Sequence, residues 1–166
     1  MPQIDYMPIP FRHDWADNLP PAKIYPLGAR DCKVVDDTFE LLHAAGKMQY
    51  TTQPTPFGFP VFVTWKKVLD PKNLGAQIDK GRAVVDLRSA NKISLPDSYQ
   101  IPLQSDLFTS LYSARYISTI DALSFFYQWL IVEDDWHKMT VNTHRGQETF
   151  NVAVMGYCNS VQYVQR

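Results

Sequence analysis

The chain has 166 residues, 45% of them hydrophobic and 20% charged, and a formal net charge of −1 at pH 7. This size and composition suit one good core or two small lobes and exclude a disordered chain. The near-neutral charge disfavours a nucleic-acid partner unless Lys and Arg cluster locally, because phosphate binding needs concentrated cations. Only Cys32 and Cys158 are present, so free thiols in a reducing compartment are expected instead of a disulfide framework. His137, His144 and Cys158 contain no close ligand pair and make no zinc pattern. No run approaches the roughly 18 apolar residues of a membrane span. The opening MPQIDYMPIP lacks the basic start and apolar core of a secretory signal.

Residues 1–30 read as an extended arm. Pro8, Pro10, Pro20, Pro21 and Pro26 forbid a long helix, and Tyr6, Phe11, Trp15 and Tyr25 suggest that the arm packs on something. Residues 31–45 carry the clearest helix: Val35, Phe39 and Leu42 share a face, Asp31 is placed to cap the start and Gly46 to end it. A short strand over 47–53 and a turn at TPFGFP precede a strong strand, Val61 to Lys67. After a polar loop, Arg82 to Leu87 reads as its antiparallel hairpin partner. SANKISLPDSYQIP looks irregular, and Leu103 to Tyr112 has helical spacing. Tyr116 to Asp121 reads as an apolar strand delivering one carboxylate to its C-terminal end. A tight turn or short helix follows at Ala122–Tyr127, then a strand over Gln128–Val132 and an acidic turn at Glu133–Asp135. His137–Thr143 and Thr149–Val154 alternate as strands across HRGQ. A last helix is capped by Asn159 or Ser160; a chain ending inside a helix is expected to have lost sequence downstream.

The chemistry-bearing features are three. Between Lys66 and Lys92 stand seven basic residues against three acidic ones, which on its own is what a solvated loop looks like. Asp121 is a lone carboxylate at an expected strand end. Phe125, Phe126 and Tyr127 form an aromatic wall just after it. Together they supply what phosphoryl or nucleotidyl transfer requires: cations for phosphate, an anionic metal ligand, and a shape filter for sugar or base. From the residues alone, Phe126 reads first as core, Arg82 as a rim ion pair with Asp86 or Asp79, and Met155 as packing.

Five segments in order resemble the reverse transcriptase domain of gypsy-type LTR retrotransposons, fungal ones especially. They are AKIYPLGARD, PTPFGFPVFVTWKK, GRAVVDLRSANKI, YISTIDALSFFYQWLI and HRGQETFNVAVMGYCNSVQYVQR. The resemblance implies an α+β fold: a fingers lobe plus a partial palm, with an incomplete antiparallel sheet and helices. It divides the chain into an extended arm (1–21), a fingers-like region (22–115) and a partial palm (116–166). Asp121 then matches the first catalytic aspartate, a ligand of Mg2+. Phe126 matches the aromatic beside the nucleotide sugar, whose bulk rejects a 2′-hydroxyl. Arg82 matches the cation that contacts the incoming triphosphate, and Met155-Gly156 the turn beside the nascent base pair. Asp86, Arg88 and Asn91 match the motif that stabilises the lobe and the template path. The implied partners are RNA or DNA template-primer, dNTP and the remainder of a polyprotein, with no membrane.

Two departures limit what the resemblance implies. The family's aromatic-x-Asp-Asp hairpin, which completes the metal site, does not occur in this sequence. Asp134-Asp135 sits at a different turn, and Asp36-Asp37 lies on the first helix. Val161 and Gln162 also replace the usual Pro and small residue after Asn-Ser. The expectation is therefore a fragment of an RNA-directed DNA polymerase, truncated before that motif and inactive alone. The alternatives are a non-catalytic nucleic-acid-binding module or a decayed remnant.

Overall fold

Val35, Phe39 and Leu42 form the stripe on which the fold is assembled. They are the buried residues of helix α2, Ala29–Ala44, and face the sheet, where Phe39 meets Phe150 edge-on at 5.8 Å. The computed structural model describes residues 6–19, 21–73 and 75–166. Gly28, not Asp31, occupies the N-cap position. Asp31, inside the first turn, instead accepts a 2.9 Å hydrogen bond from the Trp65 indole N–H. Gly46 ends the helix at φ +68°, the left-handed turn that glycine adopts without a Cβ penalty.

Five strands form one sheet: β1 (Met48–Tyr50), β2 (Phe59–Leu69), β3 (Gln77–Val85), β4 (Thr140–Thr143) and β5 (Gly146–Phe150). Their order is β1-β5-β4-β2-β3. All pairings are antiparallel except β2 with β4, which run parallel through Phe59–Val141 and Pro60–Asn142. The expected hairpin of β2 and β3 forms with Thr64 opposite Arg82 and Lys66 opposite Lys80. The result is the mixed α+β architecture expected from the sequence. The core gathers Phe57, Phe59, Val61, Val141, Phe150 and their neighbours beneath α2.

The proline-rich arm packs as expected through Phe11 and Trp15, which meet Phe57 at 5.4 and 5.2 Å, and also through aliphatic residues that the sequence did not single out. Met7 and Ile9 are fully buried. Met7 exchanges backbone hydrogen bonds with Leu130 and Val132, while Arg12 and Pro10 bond to Ile93 and Leu95. The arm thus ties two distant segments together and includes a short helix, α1 (Trp15–Asn18). Residues 1–5 and Pro20, also part of the expected arm, lie outside the described residues.

Further expectations are overturned, among them the strand from His137, since His137–Met139 belongs to a 3₁₀ segment, Glu133–Met139. The region read as irregular contains a helix, α3 (Arg88–Ile93), with Ala90 and Ile93 buried. Gln128–Val132 forms isolated bridges at Leu130 and Ile131 instead of a strand, because its partners are single residues of the arm and of the segment after β5. Most consequentially, Tyr116–Asp121 forms no strand. Tyr116, Ile117 and Ile120 are 84%, 62% and 95% exposed. Among the described residues no strand lies alongside to receive its backbone hydrogen bonds, and an unpaired strand has no independent stability. Helix α4 (Gln104–Leu111) forms as its spacing predicts, yet buries no residue.

Candidate functional site

The β2–β3 hairpin places its cations by parity. Successive side chains on a strand point to opposite faces, so Thr64, Lys66 and Val68 share a face with Lys80 and Arg82 across the ladder. That face forms one wall of a cavity of about 530 Å³. The opposite wall comes from Phe125, Phe126, Tyr127 and Met155. A left-handed residue, Ser124 at φ +51°, turns the chain into a short 3₁₀ segment, Phe125–Gln128, that presents these rings. Phe125 and Phe126 meet edge-on at 6.0 Å. Tyr127 stacks on Phe150 at 6.2 Å, anchoring the wall to the core; burial pushes its phenol pKa up, with the Arg82 charge opposing.

No Asp or Glu lines this cavity among the described residues. Asp86 and Asp79, the two candidate partners of Arg82, are engaged elsewhere. Asp86 pairs with Arg88 at 2.7 Å and Asp79 with Arg30 at 3.3 Å. The Arg82 guanidinium instead donates to the Met155 thioether sulfur at 3.1 Å. Three cations therefore face an aromatic wall without a counter-carboxylate, an arrangement that favours an anion carrying an apolar or planar group. Lys66 and Lys80 belong to the charge run seen in the sequence. Their convergence with Arg82 depends on the hairpin register, which the run alone does not reveal.

Asp86 and Arg88 belong to a second cavity, of about 380 Å³, lined also by Lys23, Tyr25, Ser89 and Lys92. Arg88 grips Asp86 bidentately, at 2.8 and 2.7 Å, and Tyr25 donates to the same carboxylate at 2.7 Å. The Arg88 hydrogen bonds, which outweigh desolvation, hold the Asp86 carboxyl far below its ordinary range. Asp86 thus orients Arg88 and Tyr25 more than it offers a free charge. Asn91, three residues on, reaches the other site. Its side-chain amide donates to the Gly156 carbonyl at 2.8 Å, and its side-chain oxygen accepts from the Cys158 N–H at 2.9 Å. Gly156 has φ +97°, so the turn that carries Met155 requires glycine there and is clamped by α3.

The structure therefore brings Arg82, Phe126 and Met155 together, with Gly156 and Asn91 directly behind. Asp86 and Arg88 stand in the neighbouring cavity. Asp121 lines neither cavity and lies exposed in the unpaired segment. Among the described residues no three His, Cys, Asp or Glu side chains gather where they could hold a metal. A divalent pair roughly 3.5–4 Å apart needs more than one carboxylate, so the residues present do not fit the Mg2+ site that the resemblance implied. Asp135 does not fill the gap: it accepts the Ile9 N–H at 2.7 Å and pairs with Lys138 at 2.6 Å. Both cysteines are free thiols. No helix, among the described residues, is long and apolar enough to cross a membrane.

No family model matches the chain. Over 112 residues it is 32% identical to the retrovirus-related Pol polyprotein from transposon opus of Drosophila melanogaster, covering 68% of this chain and 11% of that protein. Over 146 residues it is 30% identical to the corresponding polyprotein from transposon 297 of the same organism, covering 87% and 13%. In three dimensions it resembles the crystal structure of prototype foamy virus protease–reverse transcriptase, with a TM-score of 0.72 over 97% of this chain and 20% of that one. Sequence identity there is 19%, so that likeness speaks to fold. The chain spans only about a tenth of the length of these polyproteins. It is a homologue of a segment of retrotransposon Pol polyproteins, folded as the corresponding part of a reverse transcriptase.

Proposed function

We propose that these residues are the nucleotide- and template-holding part of a gypsy-type LTR retrotransposon reverse transcriptase, of the fungal kind. Residues 22–115 are its fingers-like region and 116–166 the partial palm. The observation that carries the reading is the convergence of Lys66, Lys80 and Arg82 on one cavity with Phe126 and Met155. The cations take the triphosphate of the incoming nucleotide. Phe126 lies against the sugar, where bulk alone rejects a 2′-hydroxyl. Met155-Gly156, clamped by Asn91, forms the floor beside the base. Lys23, Arg88 and Lys92 hold template phosphate in the neighbouring cavity. Asp121 is the first catalytic carboxylate of the family, but without a second carboxylate group nearby these 166 residues hold substrate without joining it.

A primer-extension assay on primed RNA template with magnesium tests the reading. The chain incorporates no nucleotide above an Asp121→Ala control. It nonetheless retains primed template in a filter-binding assay, with an affinity that falls steeply as salt rises. Incorporation above the control overturns the catalytic half, and salt-independent binding, or none, overturns the holding half.

A further inference from the structure

Four methionines lie among the described residues, and three of them are sealed in the core: Met7, Met48 and Met139 are 1%, 3% and 1% exposed. Met155 is 46% exposed. Thioether oxidation follows access, so one sulfur is presented to a solution oxidant and three are not. That sulfur is also the hydrogen-bond acceptor of Arg82, at 3.1 Å, and both residues line the cationic cavity. A thioether is a weak acceptor, and Arg82 has no ion-pair partner among the described residues. The guanidinium is therefore lightly held and available to an anion.

We propose that Met155 is a redox modification site whose sulfoxide pins Arg82. The oxidant is a peroxide. A sulfur lone pair attacks one peroxide oxygen, the O–O bond breaks, and the departing hydroxide takes the proton from the sulfur-bound oxygen and leaves as water. Sulfur is oxidised by two electrons to the sulfoxide, and the peroxide is reduced. The new S–O oxygen is a strong, partly anionic acceptor, and a small rotation of the exposed Met155 side chain brings it within hydrogen-bond reach of Arg82. The guanidinium exchanges a weak contact for a strong one and becomes less available to the cavity. A thiol-dependent methionine sulfoxide reductase reverses the change.

The experiment uses the 166-residue chain and hydrogen peroxide. Peptide mass mapping follows oxidation at Met7, Met48, Met139 and Met155, and NMR follows solvent exchange of the Arg82 guanidinium protons. Met155 is expected to oxidise first, well before the buried three. Arg82 proton exchange then slows roughly fivefold, the population change that a hydrogen bond of ordinary net strength produces. Treatment with the reductase restores the original exchange. The near-isosteric Met155→Leu variant shows no slowing on peroxide treatment. Oxidation of Met155 no faster than the buried methionines, or unchanged Arg82 exchange once Met155 is oxidised, overturns the proposal. Neither readout involves nucleotide, so its failure is distinguishable from failure of the proposed function.

Discussion

Asn91 and Gly156, 65 positions apart, are joined by a 2.8 Å hydrogen bond that ties helix α3 to the turn bearing Met155. With the second bond, from Cys158 N–H to the Asn91 oxygen, one side chain fixes the turn that lines the cationic cavity to helix α3. Asn91→Ala removes both bonds and leaves two backbone groups to find water. It is expected to lower unfolding free energy by about 1–3 kcal/mol, read by urea denaturation. Asn91→Asp keeps the acceptor and loses only the donor, so it falls between Ala and wild type.

A second joint ties β5 to helix α2. Glu148 is fully buried, receiving Arg145 at 2.7 Å on one oxygen and His43 at 2.9 Å on the other. Arg145 also reaches Asp36 on α2 at 3.1 Å and the Tyr50 hydroxyl at 3.3 Å. Removing one partner strands a buried charge, so Arg145→Met costs about 3 kcal/mol or more. The double variant Arg145→Met with Glu148→Met recovers much of that loss, because no lone charge remains. A double-mutant cycle by chemical denaturation measures the recovery; a double variant no better than the single contradicts this account.

Acid lability has identifiable sources. The Arg88 hydrogen bonds depress the Asp86 pKa. At Asp36 desolvation opposes ionisation, but hydrogen bonds from Arg145 and His144 outweigh it and also lower the pKa. A carboxyl whose folded pKa lies below its unfolded value of 3.8 stabilises the fold fully above that value. That stabilisation disappears as pH falls through the folded pKa. Asp86→Asn should therefore flatten the acid limb of a stability-versus-pH profile and reduce stability at neutral pH. An acid limb unchanged in the variant would contradict the assignment.

Gly81 faces Trp65 across the hairpin and is pressed by α2. A Cβ there would lie 2.7 Å from Val34 Cγ2 and 3.0 Å from the Trp65 ring. Gly81→Ala is expected to cost about 1–3 kcal/mol through overpacking, and to weaken anion binding by displacing the neighbouring Lys80 and Arg82. Thermal denaturation alongside anion titration separates the two effects.

The parts legible in the sequence were those that a segment determines by itself. The α2 stripe of Val35, Phe39 and Leu42 needs only helical periodicity, and the β2–β3 hairpin needs two apolar runs around a polar loop. What the sequence hid depends on neighbours. Tyr116–Asp121 has a strand's composition, but it stays exposed where nothing pairs with it. Lys66 and Lys80 looked like two members of a charge run until the register set them opposite each other. Asp31 looked like a cap, yet the Trp65 indole claims it. Of the residues the resemblance singled out, Arg82, Phe126 and Met155 share a cavity, whereas Asp121 does not join them. The strand that would carry Asp121 inward is not formed.

Arg82 and its neighbours are proposed above to hold the triphosphate of a nucleotide. The most direct test is a calorimetric titration of the chain with deoxythymidine triphosphate at low salt, compared with an Arg82→Ala variant. The account predicts binding by the wild-type chain that weakens as salt rises and is largely lost in the variant. Binding unaffected by Arg82→Ala, or no binding by the wild-type chain at low salt, would contradict it.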